Sequence, residues 1–235
     1  MRFNGSLRAL GACRVGSSPA IPTKINVMRY SAADLVKRSC AQLVYFKNYK
    51  EDVLSQRALN GEEYQSKIVK DESLANTVAD EMRGCYSYDD VEIFFCIDMI
   101  KNGEFYEIKS IQDDDGNETL EYPEWYLNSS LLQCAFYKSL LMEMNGNKLY
   151  TPKFRLKEGY KMSCVEINNN ANYYLKFGGV GVWRIDVVNP TDIIDFYKNK
   201  IAHITDYDDA RAFDREFKWK EFEVLKKHFT FSKIE

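Results

Sequence analysis

The sequence has no hydrophobic run that approaches the roughly 20 residues a membrane-spanning helix needs, so no membrane association is expected. It also lacks an excess of basic residues, since the formal net charge is −3. Nucleic-acid-binding domains often carry such an excess, so a broad basic surface is not expected. A local basic groove beside an acidic site is still compatible with this charge. No repeat and no low-complexity linker divides the chain.

The six cysteines include no C-x-x-C pair. A chain of 235 residues has ample apolar material for a core and does not need a disulfide framework. A reduced, cytoplasmic protein is therefore the simpler interpretation.

The first 27 residues contain four basic residues and no acidic one. Without those four, 28 basic residues stand against 35 acidic ones, which gives a net charge of −7. The composition could suit an organellar transit peptide. We favour a dispensable extension, disordered or not native to the protein, because the chain from Met28 reads like a genuine protein start. Residues 28–235 are then predicted to form a single domain.

The central stretch, Val91 to Ile111, consists of two apolar runs joined by Asn102-Gly103. Asn-Gly between such runs is a strong hairpin signal, because a type I′ turn needs positive φ at both central residues. A two-residue turn pairs Lys101 with Glu104. Continued along the strands, this register pairs Asp98 with Glu107.

Asp98, Glu107 and Lys109 share one face of this predicted hairpin. Opposed carboxylates repel, and the apolar neighbours predict a sheet covered on both faces, where charges are costly. Those neighbours are Phe94, Phe95, Ile97, Ile100, Phe105 and Ile108. A divalent cation between the carboxylates would compensate, since hard cations prefer such oxygens. The alternative is a structural ion pair of Asp98 with Lys109 near a strand end, with Glu107 exposed at a sheet edge.

The rest of the chain predicts an α/β fold with a mixed sheet flanked by helices. Before the hairpin we expect helices from Ser31, as N-cap, to about Tyr49, over about 54–69 with Gly61 inside, and over 73–82, then a strand near 85–88. After it we expect a helix over about 124–144, opened by Pro123. Strands are expected at 148–156, 161–167, 172–177 and 180–188, with a hairpin at Gly178-Gly179. A helix capped by Thr191 and ending at about Ile204 follows, and then helical segments over 206–213 and 216–229.

The order of several short motifs carries a resemblance. They are Ser31 to Tyr45, Gly61 to Gln65, Ile97-Asp98, Glu107-Ile108-Lys109 and Gln133 to Tyr137. This set resembles the RecB-type branch of the PD-(D/E)xK nuclease superfamily over about residues 31–141. The resemblance implies a restriction-endonuclease-like core, followed here by C-terminal strands and helices. It also implies a metal-dependent, exonuclease-like DNA nuclease that uses Mg²⁺ or Mn²⁺.

Carried over by residue, the resemblance gives Asp98 and Glu107 as metal ligands, with the carbonyl of Ile108 as a further ligand. Lys109 would position or activate the attacking water and stabilise charge on the scissile phosphate. Gln133 and Tyr137 would hold the substrate backbone or the active-site water. Without the resemblance, the spacing of four predicts only that Gln133 and Tyr137 lie on one face of a helix, and the favoured interpretation is a surface Gln beside a partly buried Tyr.

The sequence departs from the family pattern at three places. One is Cys96, two residues before Asp98, where members of the family usually have Gly. Many relatives have a His or Glu metal ligand where this chain has Gln65, so Gln65 itself or the neighbouring Glu62 or Glu63 would have to take that role. Some relatives hold an iron–sulfur cluster with one Cys near Cys40 and three near the C-terminus. Only Cys164 lies downstream of the core here, so no iron–sulfur cluster is expected and Cys40 is predicted to be a small buried residue.

Two functions follow as hypotheses. The first is a DNA nuclease of a phage, mobile-element or repair system, with a protein partner in recombination or defence; an RNA-directed nuclease is a weaker variant of it. The second is a catalytically decayed protein on the same fold that binds nucleic acid or protein in defence or counter-defence. The substitution at Gln65 and the acidic balance favour the second.

Overall fold

The computed structural model describes residues 27–48, 56–74, 78–113, 115, 117–144, 146–151, 155–156, 159–160, 163–168, 170–217 and 220–235. The expectations for the N-terminal extension lie outside these ranges, apart from exposed Val27.

A mixed sheet of nine strands organises the described part of the chain and confirms the α/β class. The elements, in chain order, are β1 (Met28–Ser31), α1 (Ala32–Lys37), α2 (Cys40–Asn48), α3 (Gln56–Ser73), β2 (Val78–Tyr88), β3 (Val91–Lys101), β4 (Glu104–Lys109), α4 (Glu124–Glu143), β5 (Lys148–Thr151), β6 (Arg155–Leu156), β7 (Gly159–Tyr160), β8 (Ser163–Glu166), β9 (Tyr173–Phe177), β10 (Gly181–Val187), α5 (Pro190–Ala202), α6 (Tyr207–Phe217), α7 (Glu221–Leu225), a 3₁₀ turn (Lys226–His228) and β11 (Phe229–Lys233). The strand order is β11-β10-β9-β4-β3-β2-β5-β8, with β1 also beside β3, while β6 and β7 pair separately.

The predicted hairpin is confirmed at β3 and β4. Asn102 and Gly103 have φ values of 52° and 84°, and Lys101 pairs with Glu104. The regular pairing ends at Met99 with Tyr106. The ladder therefore stops one step before the predicted pair of Asp98 with Glu107.

One edge of β3 is shared by two strands that do not meet. β2 pairs with β3 from Val78 to Tyr88, except at Glu81 and Asp98, so it occupies one edge. On the other edge, β1 runs parallel to Val91–Phe94 and β4 pairs with Met99–Lys101. Residues 95–98 of β3 thus lie between β1 and β4, and this interruption is where the candidate site forms. The sequence did not predict β1.

Helix α4 packs against the sheet with the residues predicted for it. Leu132, Phe136, Leu140 and Leu141 are buried, and α4 contacts β9, β10 and α5. Helix α3 contacts β2, β3 and β4. The sheet is covered on both faces at adjacent Met99 and Ile100, which are both buried. The prediction of two covered faces is wrong at Phe94, which is 41% exposed.

The helix predicted from Ser31 to about Tyr49 is two helices. Ser31 is the N-cap of α1, as predicted, because its hydroxyl accepts the backbone N–H of Asp34. The chain leaves the helical conformation at Arg38, and α2 begins at buried Cys40. The carboxylate of Asp214, on α6, caps α2 by accepting the backbone N–H groups of Cys40 and Ala41 at 2.8 and 3.0 Å.

A further correction concerns the helix predicted over residues 73–82. Its second half belongs to β2, which pairs with β3 over ten residues on each strand. Ala79 and Met82 favour helix locally, but pairing along a long central strand overrides local propensity.

The C-terminal predictions are confirmed in part. Antiparallel β9 and β10 flank Gly178-Gly179, as expected. Helix α5 is present, but Asn189 is its N-cap and Pro190 its first residue, so Thr191 is not the cap. Residues 216–229, predicted as helix, contain the end of α6, α7 and a 3₁₀ turn before β11 pairs with β10.

A buried lysine joins the N-terminal and C-terminal helices. Lys200 of α5 is fully buried, and its ammonium donates to the carbonyls of Leu35 and Arg38 at 2.6 and 2.8 Å. It also forms an ion pair with Glu221 of α7. These bonds fix the C-terminal end of α1. None of the described helices is long and apolar enough to span a membrane.

Candidate active site

Asp98 lies at the interruption between β1 and β4. Its Oδ2 accepts the backbone N–H of Ile108 at 2.7 Å. In a regular antiparallel ladder only every second pair exchanges hydrogen bonds. After Met99 and Tyr106, the next hydrogen-bonded pair would be Ile97 with Ile108. A side-chain carboxylate therefore takes the place of a strand partner. In a strand the carbonyl of a residue points to the same edge as its N–H, so the Ile108 carbonyl also faces β3.

Glu107 is buried beside it, with 2% exposure. Its Oε1 accepts hydrogen bonds from the Lys109 ammonium and from Nε2 of Gln133, the latter at 2.6 Å. Its Oε2 is buried and has no hydrogen-bond partner among the described residues. The family-independent expectation of a surface Gln is wrong, because Gln133 is 2% exposed and holds Glu107.

The structure also corrects the alternative ion-pair arrangement. Lys109 bonds directly to Glu107, and Glu107 is not at a sheet edge, since β4 lies between β3 and β9. The side chain of Lys109 is 12% exposed. The three charged residues predicted to share a site are therefore together, largely removed from water.

Burial, followed by repulsion from Glu107, raises the pKa of Asp98 to about 7. For Lys109, burial lowers the pKa, but the Glu107 and Asp98 carboxylates outweigh it, so the pKa ends above its usual value. The site therefore keeps an ammonium group charged and makes a second carboxylate costly to ionise.

Tyr137 lies deeper than predicted. It is 2% exposed, and its ring packs against Phe95 with centroids 5.7 Å apart. Burial, with Glu107 and Asp98 nearby, raises the pKa of Tyr137 well above its usual value. Its neutral side chain supports the site from within the core.

Two residues near the site were missed from sequence. Tyr173 of β9 is fully buried, and its hydroxyl has no partner among the described residues. Burial is the main cause that raises the pKa of Tyr173, and the charges of Glu107 and Asp98 raise it further. Lys37 is the last residue of α1 and is exposed, but its ammonium is close enough to the site to interact with the charges of Lys109, Glu107 and Asp98. The Lys109 charge, and then burial, lower the pKa of Lys37 to about 8, while Glu107 and Asp98 oppose this. No role was predicted for either residue, although Lys37 lies within the Ser31 to Tyr45 motif. Both reach the site by long-range packing.

Helix α3 passes beside the site at Gly61, where an added Cβ would lie 3.4 Å from Ser110 Oγ. Helix α3 is continuous through this glycine and lies close to β4 there. Gln65 is half-buried, whereas Glu62 and Glu63 are exposed. In the described ranges none of the three hydrogen-bonds or ion-pairs with Asp98, Glu107 or Lys109. The role of Gln65 or Glu63 as a metal ligand therefore stays a prediction.

The residues at the site fit a small hard cation. Asp98, Glu107 and the Ile108 carbonyl supply oxygen donors, which Mg²⁺ and Mn²⁺ prefer. A cation would give a partner to Glu107 Oε2, which has none among the described residues, and would reduce the repulsion between the two acids. Over the described part of the chain, no group of three or more His, Cys, Asp or Glu side chains is arranged to hold a metal. The fit thus rests on two carboxylates and one backbone carbonyl.

Comparisons of this chain with protein-family models, with curated proteins and with solved structures found no significant match. The function is accordingly argued from the site itself.

Proposed function

We propose that the protein is a Mg²⁺- or Mn²⁺-dependent phosphodiesterase that cleaves DNA, as an exonuclease-like nuclease. The observation that carries this proposal is the largely buried group of Asp98, Glu107 and Lys109 at the interruption between β1 and β4. It combines an unpartnered carboxylate oxygen with a charged ammonium group. The order of motifs described above supports the same activity.

Asp98, Glu107 and the Ile108 carbonyl would hold the cation, which supplies a more acidic bound water and a polarised phosphoryl oxygen. The side chains of the chain itself have separate roles. Lys109, kept charged by its two acidic neighbours, stabilises negative charge that develops on the phosphate. Asp98 has to lose its proton to act as a ligand, which favours activity above neutral pH.

Gln133 and Tyr137 have a different role from the one first expected. Both are almost fully buried, so they do not contact substrate directly. The amide of Gln133 donates to Oε1 of Glu107 and so fixes that carboxylate, while Oε2 has no partner among the described residues. We assign Gln133 and Tyr137 as positioning residues for Glu107.

The test incubates purified protein with linear, nicked and single-stranded DNA in Mg²⁺, Mn²⁺ or EDTA. Cleavage should require metal, and Lys109→Ala should reduce kcat about 10²- to 10³-fold, as expected when one group that stabilises charge is removed. Lys227→Ala is a matched control, because Lys227 is exposed in the 3₁₀ turn before β11. No cleavage with either metal, or equal cleavage by Lys109→Ala, would contradict the proposal. RNA substrates in parallel test the RNA-directed variant.

A second candidate is a catalytically inactive protein that binds nucleic acid or a protein partner. It is favoured by Gln65, which stands where relatives carry a ligand and which does not bond to the site. Metal titration separates the two candidates. A rise in melting temperature with Mn²⁺ that disappears in Asp98→Asn supports the enzyme. Nucleic-acid binding without any metal-dependent shift supports the binding protein.

A further inference from the structure

We propose that Lys37 is a phosphate-binding residue of this site, which holds a backbone phosphate of the nucleic acid next to the one being cleaved. This inference rests on the proposed function and identifies a contact for its substrate. It adds a residue from α1, a part of the chain outside the acidic hairpin.

The backbone places Lys37 close to the site. Ser31, at the end of β1, pairs with Phe94 of β3, so α1 starts at one border of the interruption that contains Asp98. Helix α1 has six residues and spans about 9 Å at 1.5 Å per residue. It contacts both β3 and α4, which carry the other residues of the site.

Lys200 fixes the turn that carries Lys37. Its buried ammonium bonds to the carbonyls of Leu35 and Arg38, the residues on both sides of Lys37 in that turn. The two cations of this turn differ in their partners. Nε of Arg38 donates to Asp34 at 2.9 Å, whereas Lys37 has no direct ion pair within the described residues.

The charge of Lys37 is unfavourably placed unless an anion is present. Its strongest electrostatic neighbour is another ammonium group, that of Lys109, and this repulsion is the largest cause of the lowered pKa of Lys37. The two carboxylates that attract Lys37 each accept a hydrogen bond from another group, Glu107 from Lys109 and Asp98 from the Ile108 amide. Two neighbouring cations suit a polyanion, because a phosphate relieves their repulsion. Lys37 has solvent-exposed surface although burial also lowers its pKa, as for a side chain that lies partly in the site.

The experiment compares Lys37→Met with wild type and with Lys227→Met, the exposed control. We expect Lys37→Met to raise KM for linear DNA about 10-fold, as for loss of one charge-assisted hydrogen bond, with kcat within about twofold of wild type. Lys37→Arg should retain most of the affinity, because it keeps the charge.

A second measurement uses equilibrium binding of a duplex oligonucleotide in EDTA at several salt concentrations. The slope of log K against log salt should become shallower by about 0.9 in Lys37→Met, the value for one lost phosphate contact. Thermal unfolding with added inorganic phosphate tests a free anion as the alternative ligand. Protection by inorganic phosphate that depends on Lys37, with unchanged KM for DNA, would overturn the proposal.

The outcomes separate this inference from the proposed function. If wild type cleaves DNA and Lys37→Met keeps the KM and salt slope of the control, the inference is wrong and the nuclease stands. If wild type neither cleaves nor binds nucleic acid, both are wrong. If Lys37→Met loses folded structure, Lys37→Arg and Lys37→Gln decide: equal KM values for these two would overturn a role for the charge.

Discussion

The carboxylate of Asp98 accepts the backbone N–H of Ile108 at 2.7 Å, where the ladder between β3 and β4 has already ended. Ile108 stands between Glu107 and Lys109, so this one bond sets the positions of both relative to β3. It also directs the Asp98 carboxylate into the space between the strands. The site is thus built by an interruption of the sheet.

The first prediction concerns the pH dependence of stability. Burial and Glu107 raise the pKa of Asp98 from its ordinary 3.8 to about 7 in the folded state. The folded protein therefore holds this proton more tightly than the unfolded chain. The stabilisation is fully present below about pH 4 and is lost as pH rises towards 7.

Urea unfolding in EDTA should show a lower free energy of unfolding at pH 8 than at pH 5. In Asp98→Asn this decline should largely disappear, whereas Asp208→Asn, at an exposed position, should behave like wild type. An equal decline in Asp98→Asn would refute the assignment.

The second prediction concerns Lys200. Lys200→Met leaves Glu221 without its partner and removes the donor from the carbonyls of Leu35 and Arg38. Breaking a buried ion pair from one side costs about 3–5 kcal/mol, so the free energy of unfolding should fall by that order. Replacing both residues, as Lys200→Met with Glu221→Leu, should recover part of the loss. Asn199→Met, at an exposed neighbour on α5, is the control. Additive losses in the double variant would show that the two side chains are not coupled.

The third prediction concerns the cap of α2 by a distant residue. Asp214→Ala removes the acceptor for the N–H groups of Cys40 and Ala41 and should cost about 1 kcal/mol, as for other N-caps. Glu216→Ala, at an exposed position on the same helix, should cost much less. Chemical denaturation of both variants measures the difference, and equal costs would argue against the cap.

The fourth prediction concerns the contact between β2 and β3. A Cβ on Gly84 would overlap the Phe95 ring, which packs against Tyr137. Gly84→Ala should therefore destabilise the protein by about 1–3 kcal/mol through overpacking. Phe95→Leu makes room, so the double variant should be less destabilised than the sum of the single ones. A neutral Gly84→Ala would show that the ring moves away freely.

Local sequence signals explain which predictions succeeded. Asn102-Gly103 determines its own turn geometry, so the register of Lys101 with Glu104 could be predicted from two residues. The cap at Ser31 also depends only on the residues beside it. Asp98, Glu107 and Lys109 came together as predicted because a hairpin joins strands that are adjacent in sequence.

Long-range contacts explain what could not be predicted. Residues 73–82 have helical propensity, and only the presence of β3 makes their second half a strand. The break between α1 and α2 is completed by Asp214 and Lys200, which lie far along the chain. Tyr173 and Lys37 approach the site for the same reason. The Ser31 to Tyr45 motif contains Lys37 but does not single it out, and no predicted motif contains Tyr173.

The parallel pairing of β4 with β9 has a consequence for how the protein is made. Glu107 and Lys109 receive their second neighbouring strand from Tyr173–Phe177, which is synthesised long after them. Closing so large a loop is entropically costly and slows folding. A nascent chain released before β9 emerges would keep its acidic hairpin hydrated, and the pKa of Asp98 would stay nearer its ordinary value. The buried arrangement of Asp98, Glu107 and Lys109 would thus form only in chains translated well past the hairpin that encodes it.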